Sequence, residues 1–336
     1  MTATQIPAGT TVLVTGATGF TGANLTRRLV QDGLRVRALA RETSNIEPLE
    51  DLDVEWLRGD VYDPALVAEA MRDVEYVFHL AACFRDPKAA SDEYGKVHVD
   101  STKLLAQQAV RNRNFKRFVH TSTMGVHGHI ENPPGSEESP YSPGDLYQQT
   151  KLEAELWLRE FSAQQGLPFT VVRPTAIFGP GDRRLLKLFK FAKRGWCPLI
   201  SNHDTLYHLI HVDDLTSFYV HVATHPAALG EVFLCGNETY TSLRAIIDLL
   251  GDFFDTRPKY VSLPRGPMFM LADASEWVSA KLGVSPILYR RRLAFFTKDR
   301  AFDTDKSRRL LGFECKYDNE SGLLDTARAY RAAGWI

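Results

Sequence analysis

The strongest constraint on this chain is the stretch Thr11-Val12-Leu13-Val14-Thr15-Gly16-Ala17-Thr18-Gly19-Phe20-Thr21-Gly22. A β-branched, apolar run leads straight into glycines spaced G-x-x-G-x-x-G. Leu25, Leu29 and Val30 then fall on one face of a helix. The pattern predicts a buried strand, a tight turn and a helix start. In such a turn Gly16 takes a positive φ, Gly19 lets a phosphate approach backbone, and Gly22 lets helix pack on strand. The free N–H groups of the helix start would face a pyrophosphate. A glycine triplet alone is weak evidence, but the strand before it and the helix after it supply the context the motif needs.

The rest of the chain excludes several classes. With 336 residues it can bury one large or two medium cores. Its formal net charge of -1 gives no electrostatic footprint for nucleic acid. Cys83, Cys197, Cys235 and Cys315 form no C-x-x-C pair, which argues against a zinc site or disulfide framework and suits a reducing cytoplasm. Met1 to Thr10 carries no signal-peptide pattern, and no apolar run is long enough to span a bilayer.

Strands and helices alternate through the first half. Strands are expected at Leu34–Ala40, Val54–Arg58, Tyr76–Leu80, Phe118–Thr121 and Phe169–Arg173, with helices at Ala65–Met71, Glu93–Arg111 and about Asp145–Gln164. Asp63-Pro64 supplies an N-cap and an N1 proline. This order predicts an α/β Rossmann fold, a doubly wound parallel sheet, with a smaller mixed C-terminal cap that binds substrate. We expect residues 1–180 to form the dinucleotide-binding unit, with 207–236 returning to it. The cap would comprise 181–206 and 237–336, with Thr241 capping a helix through Leu250.

At the end of the second strand, NAD-type sites carry a carboxylate for the adenine ribose. Here Ala40 stands at that place, flanked by Arg37 and Arg41, either of which could pair with a 2′-phosphate. This favours NADP(H) over NAD(H). Asp60 is placed for the adenine amino group, and Ala81-Ala82 leave room at a strand end.

The second key element is Tyr147-Gln148-Gln149-Thr150-Lys151. Positions i and i+4 share a helix face, so the phenol and the ammonium can address one site. A nearby cation favours the phenolate and lowers the pKa of a group that is otherwise a poor base at neutral pH. Upstream, Thr121-Ser122-Thr123 ends a strand, and one of these hydroxyls could hold a substrate oxygen.

With these pieces in order, the chain resembles an extended short-chain dehydrogenase/reductase. That family includes nucleotide-sugar epimerases and dehydratases, dihydroflavonol reductases and 3β-hydroxysteroid dehydrogenases. The likeness also rests on Gly59-Asp60-Val61, Leu80-Ala81-Ala82, Val126-His127-Gly128, Arg173-Pro174-Thr175-Ala176-Ile177-Phe178-Gly179-Pro180-Gly181-Asp182 and Ile210-His211-Val212-Asp213-Asp214. The resemblance implies Thr123 as the Ser/Thr of the site with Ser122 beside it. It implies Tyr147 as proton donor or acceptor, and Lys151 on the nicotinamide ribose. Gly16, Thr18, Gly19, Phe20 and Gly22 would line the pyrophosphate. Asp60 and Val61 would hold adenine, Leu80, Ala81 and Ala82 would line the crevice, and Pro174 with neighbours such as Ile177 would contact the carboxamide. A homodimer is also implied.

Departures bear on the reading. Many members carry Asn where His98 stands, which puts a relay there in doubt. Epimerases often carry an Arg where Tyr207 and His208 stand and an Asn at Thr175, so a diphosphate clamp is missing. Arg183, Arg184, Lys187 and Lys190 could rebuild an anion site, though a solvated basic helix face is the favoured reading. The pairs His127/His129 and His208/His211 lack further ligands at metal spacing, so no metal site is expected. Met268-Phe269-Met270-Leu271, Trp277-Val278, Leu288-Tyr289 and Arg290–Phe296 could line a lipophilic pocket, touch a membrane or form cap core. The resulting expectation is an NADP(H)-dependent oxidoreductase acting on a bulky, partly apolar small molecule, steroid-, flavonoid- or terpenoid-like. The alternatives are a nucleotide-sugar epimerase or dehydratase with tightly bound NAD, and a non-catalytic nucleotide-binding regulator.

Overall fold

Each of the apolar runs becomes a strand, and every strand of the main sheet is parallel to its neighbours. The computed structural model describes residues 5–83, 91–282, 284, 288 and 290–336. The strands are β1 (Thr11–Thr15), β2 (Arg35–Ala40), β3 (Val54–Arg58), β4 (Tyr76–His79), β5 (Arg117–Thr121), β6 (Phe169–Pro174) and β7 (Val232–Cys235). Their spatial order is β7-β6-β5-β4-β1-β2-β3. The chain therefore winds one way from β1 to β3 and the other way from β4 to β7. The point of reversal lies between β1 and β4, where ligands bind in open α/β sheets.

Strand alternation builds a core on each face of the sheet. Val12 and Val14 pack with Leu25, Leu29, Leu215 and Phe218, whereas Leu13 packs with Val67, Leu105 and Leu158. A parallel sheet needs both faces covered, and each such buried side chain contributes about 1.5–3 kcal/mol. A separate core around Leu188, Phe189, Ile246, Ile247, Leu250 and Tyr330 holds the C-terminal region together.

Polar side chains set the helix ends. Asp63 accepts from the Ala65 and Leu66 N–H groups, and Asp145 accepts from Gln148 N at 2.9 Å to start the Leu146–Gln165 helix. Two local expectations are corrected. Ser242, not Thr241, caps the Leu243–Phe253 helix, because its hydroxyl reaches Ala245 N while Thr241 pairs with Tyr207 in a short bridge. The helix expected over Glu93–Arg111 is interrupted. It runs as Ser91–Gly95, a π-turn at Lys96–Asp100, then Ser101–Ala109. Such a turn holds an extra residue and re-aims its side chains.

One buried ion pair ties the long helix to the sheet. Arg173 on β6 pairs with Glu155 at 2.5 Å, with both side chains almost fully enclosed. The same guanidinium bonds His127 Nε2 at 2.9 Å, the Glu137 carbonyl at 3.0 Å and the Tyr141 hydroxyl at 2.9 Å. Removing one partner strands the other charge in low dielectric. Glu155→Ala should therefore lower unfolding free energy by about 3–5 kcal/mol. Urea unfolding at neutral pH measures this, and a loss below about 1 kcal/mol, the scale of an exposed pair, would contradict the buried network.

Candidate active site

The carboxyl ends of β1, β4, β5 and β6 open on one groove of about 1610 Å³. A pocket for a single small ligand occupies roughly 300–1,000 Å³, so the groove has room for a dinucleotide and a second molecule. Gly16 has φ +72°, and a Cβ there would lie 2.8 Å from Ala81 N. A Cβ on Gly22 would lie 2.0 Å from the Gly16 carbonyl oxygen. Only glycine lets the first helix (Phe20–Gln31) come this close to the turn. Gly19 caps that helix without a side-chain hydrogen bond, so its first-turn N–H groups are left for a ligand. This cradle fits a dinucleotide pyrophosphate.

Thr18, Phe20, Asp60, Val61, Leu80, Ala81, Ala82, Pro174 and Ile177 line the same groove, as do Gly16, Gly19 and Gly22. Ser122, Thr123, Tyr147 and Lys151 line it further along. Of the catalytic and cofactor-binding residues expected from sequence, Arg37 is the one outside this lining. It donates to Glu55 at 2.8 Å and to the carbonyls of Ala70 and Arg72 at 2.9 and 2.8 Å. These bonds occupy its guanidinium away from the groove, which corrects its assignment to a 2′-phosphate. Arg41 does line the groove, beside Ser44. Arg58 steadies that loop by donating to the Arg41 and Ser44 carbonyls at 3.1 and 3.0 Å.

Lys151 is the most constrained group of the site. It is buried, and its Nζ donates to the carbonyls of Thr121 at 3.0 Å and Ala81 at 3.3 Å. Burial alone pulls its pKa down to about 7. Thr121 donates to the Tyr219 hydroxyl at 2.9 Å, which packs the end of β5 against the Val212–Thr224 helix. Thr123 lies just past β5, and its Oγ1 accepts from Gly125 N at 3.0 Å. Ser122 Oγ and Thr175 Oγ1 are buried in the groove wall with no protein hydrogen-bond partner among the described residues. Their hydrogen-bonding capacity is left unspent within the protein.

Two buried histidines brace this site. His98, in the π-turn, has Nε2 accepting from Cys83 N at 3.0 Å. Its proton is therefore on Nδ1, 2.7 Å from Thr150 Oγ1, whose own hydrogen goes to the Leu146 carbonyl at 2.8 Å. That chain of bonds joins the end of β4 to the helix carrying Tyr147. The His98 ring also meets the Tyr147 ring edge-on, with centroids 5.4 Å apart. Burial, then the Lys151 charge, drives the His98 pKa to about 2. His79 contacts Thr15 Oγ1 at 2.7 Å through Nδ1. Through Nε2 it reaches Thr102 and Ser101 at 3.0 and 3.1 Å, which holds β1 and β4 in register below the groove. Neutral histidines suit these roles.

Beyond the reacting end, Leu188, Phe191, Tyr207, Phe269, Phe295 and Phe296 line the groove, with Lys187, Arg265 and Lys298 among them. Arg183 and Arg184 also reach it. Arg184 is held by Asp182 at 2.7 Å, whereas Lys190 is an exposed residue outside the lining. Tyr207, at the position of the missing clamp, donates to the Phe295 carbonyl. His208 bonds Asn237 O and Phe302 N at 2.6 and 3.2 Å, so it is a structural residue. Tyr289 and the side chains of Arg291 and Arg292 lie outside the described residues. Tyr219 and Thr150 were not singled out from sequence. Each reads there as an ordinary helix-face residue, and only packing gives it a partner.

The histidine brace has a pH signature. His98 ionises near 6.5 when unfolded and near 2 when folded. Its neutral form therefore supports the fold fully above pH 6.5, and that support is lost as pH falls. Below that point the loss approaches about 1.4 kcal/mol per pH unit. His98→Asn should flatten the decline in melting temperature between neutral and mildly acidic pH. Parallel curves for the two proteins would refute the assignment.

Comparison with known proteins agrees with this geometry. Residues 12–236 match the model of the NAD dependent epimerase/dehydratase family. The chain is 29% identical over 342 residues to a 3 beta-hydroxysteroid dehydrogenase/Delta 5→4-isomerase of Mycobacterium tuberculosis, covering 95% of this chain and 90% of that one. It is 40% identical over 179 residues to sterol demethylase protein B of Methylococcus capsulatus, a match spanning 52% of this chain and 53% of the relative. The fold is that of a Thermotoga maritima UDP-glucose 4-epimerase solved with UDP-glucose, with TM-score 0.76, 22% identity and coverage of 96% and 99%. The chain belongs to the NAD-dependent epimerase/dehydratase family of extended short-chain dehydrogenases/reductases and is an NAD(P)-dependent enzyme of that type.

Proposed function

We propose that this enzyme interconverts a secondary alcohol and a ketone on a bulky, partly apolar substrate of steroid-, flavonoid- or terpenoid-like kind, using NADP(H). The observation that carries the reading is one groove with two ends. Tyr147, Lys151, Ser122 and Thr123 line its middle, and Phe191, Phe269, Phe295 and Phe296 line the far side. The hydroxysteroid and sterol names of the two relatives support the substrate class.

The glycine turn, Asp60, Val61, Pro174 and Ile177 would hold the dinucleotide. A nicotinamide held there would supply hydride to a carbonyl carbon or accept it from a carbinol carbon. Tyr147 moves the hydroxyl proton. Thr123, with Ser122 beside it, donates hydrogen bonds to the oxygen as charge develops on it. Lys151 sits one helical turn beyond Tyr147, and a cation there favours the phenolate. Its carbonyl partners hold its ammonium in place, so little reorganisation accompanies the proton transfer. With Arg37 occupied by Glu55, the preference for NADP(H) rests on Arg41 and on the neutral Ala40 at the ribose end. This reading treats residues 1–180 with 207–236 as the dinucleotide-binding unit, and 181–206 with 237–336 as the substrate cap. Four free cysteines suit a reducing cytoplasm, and the implied homodimer is testable by light scattering.

The nucleotide-sugar reading keeps one favourable observation. Arg183 and Lys187 line the groove and could meet a diphosphate. Identifying the nucleotide released on denaturation separates the two readings. An empty site that binds NADPH reversibly, and more tightly than NADH, is expected. Stoichiometric, non-exchanging NAD⁺ would overturn the NADP(H) reading in favour of an epimerase or dehydratase. With a ketone panel in hand, Tyr147→Phe should lower kcat by about 10²–10⁴-fold while leaving cofactor Kd within a few-fold. Undiminished turnover would remove Tyr147 from the proton step.

A further inference from the structure

The Arg265–Leu282 helix is turned inside out. A helix on a globular surface normally hides its apolar stripe and shows its charges. Here Met270, Leu271, Ala274, Trp277 and Val278 follow the spacing of a single helical face, and that face is the outer one. Met270 is 72% exposed, Leu271 59%, Trp277 61% and Val278 45%. The inward side holds the buried Ala272 and Ser279, while Met268 and Phe269 pack around Ile200 and Leu293. The stripe is therefore not the contact that holds the helix in place.

The one charge on the stripe is a cation, and the carboxylates beside it are engaged. Lys281 continues the stripe by one turn and stacks its ammonium 3.7 Å from the centre of the Trp277 ring. Of the two carboxylates of the helix, Asp273 borders the stripe and Glu276 lies off it, and both are engaged by Arg290, Asp273 by its guanidinium and Glu276 by its backbone N–H at 3.0 Å. Among the described residues the outer face thus presents aliphatic and indole surface with a cation and no carboxylate that lacks a partner. Tryptophan beside lysine, with aliphatic neighbours, is the composition that settles at the boundary of headgroups and acyl chains. No helix among the described residues is long and apolar enough to cross a membrane, so such a surface would rest on the bilayer.

The same helix also borders the groove. Arg265, Phe269 and Glu276 line it from the inward side. We propose that the outer face of the Arg265–Leu282 helix is a docking surface for a phospholipid bilayer containing anionic lipid, which sets the substrate end of the groove against the membrane. The docking stands on the helix itself. Delivery of an apolar substrate from the bilayer rests additionally on the function proposed above.

The test uses the full-length protein with vesicles of phosphatidylcholine alone and of phosphatidylcholine mixed with phosphatidylglycerol. Flotation with the mixed vesicles is expected, weaker in high salt and much weaker with phosphatidylcholine alone. The double variant Leu271→Ser/Trp277→Ser should reduce the bound fraction roughly tenfold or more, because its anchors are gone. Lys281→Glu should weaken binding to the mixed vesicles only. Trp277 emission, isolated by comparison with Trp277→Phe, should shift to the blue on binding. All these positions are exposed and outside the groove lining, so unfolding curves and cofactor affinity should match the unaltered protein. That match separates failure of docking from failure of the proposed chemistry. Three results would overturn the proposal. They are no flotation with either vesicle, equal flotation of the double variant, or a concentration-dependent dimer that the double variant abolishes, which would make a second copy the occupant.

Discussion

The whole arrangement depends on backbone touching backbone at the end of β1. A Cβ on Gly22 would fall 2.0 Å from the Gly16 oxygen, and one on Gly16 would fall 2.8 Å from Ala81 N. Those absent carbons let the first helix start directly over the turn and let the ends of β1 and β4 meet. The unused N–H groups of that helix then face the crevice at the reversal point of the sheet. Thr15 locks the contact from below, accepting from Ala81 N at 3.2 Å while bonding His79. Binding chemistry and fold topology are here the same contact.

The proposed reacting end is assembled from separate elements around Lys151. Its ammonium is seated on carbonyls from the ends of β4 and β5, while its own helix presents Tyr147 one turn earlier. Carbonyl dipoles only partly replace the water lost on burial, so the lysine titrates near neutrality, at about 7. His98 reaches this place through a π-turn and carries a hydrogen-bond chain from Cys83 to Leu146. Its imidazole acts as a brace with both ring nitrogens occupied.

The C-terminal region obeys different rules. Its own core mixes aliphatic Leu188, Ile246 and Ile247 with aromatic Phe189 and Tyr330. What it presents to the groove is aromatic with scattered cations, and what one helix presents outward is apolar. The apolar segments that suggested pocket, membrane or core divide along a single helix. Phe269 serves the pocket and core, while Met270, Leu271, Trp277 and Val278 face out.

Much of this protein was legible before any coordinates. The glycine spacing, the alternation of strands and helices and the Tyr147/Lys151 interval are local patterns. Local patterns survive because strand and helix periods and glycine's dihedral freedom act over a few residues. The same logic misjudged Arg37, because nothing in its neighbourhood along the chain reveals that Glu55, Ala70 and Arg72 surround it. It also missed the π-turn, Tyr219 and Thr150, whose roles come from partners far away in sequence. The sequence by itself determined the sheet, the glycine turn and the helix that carries Tyr147 and Lys151 on one face. Only the tertiary structure decided which arginine meets the groove, what seats the lysine, and which face of the Arg265–Leu282 helix stays outside. Those are outcomes of long-range packing, which single-residue chemistry does not encode.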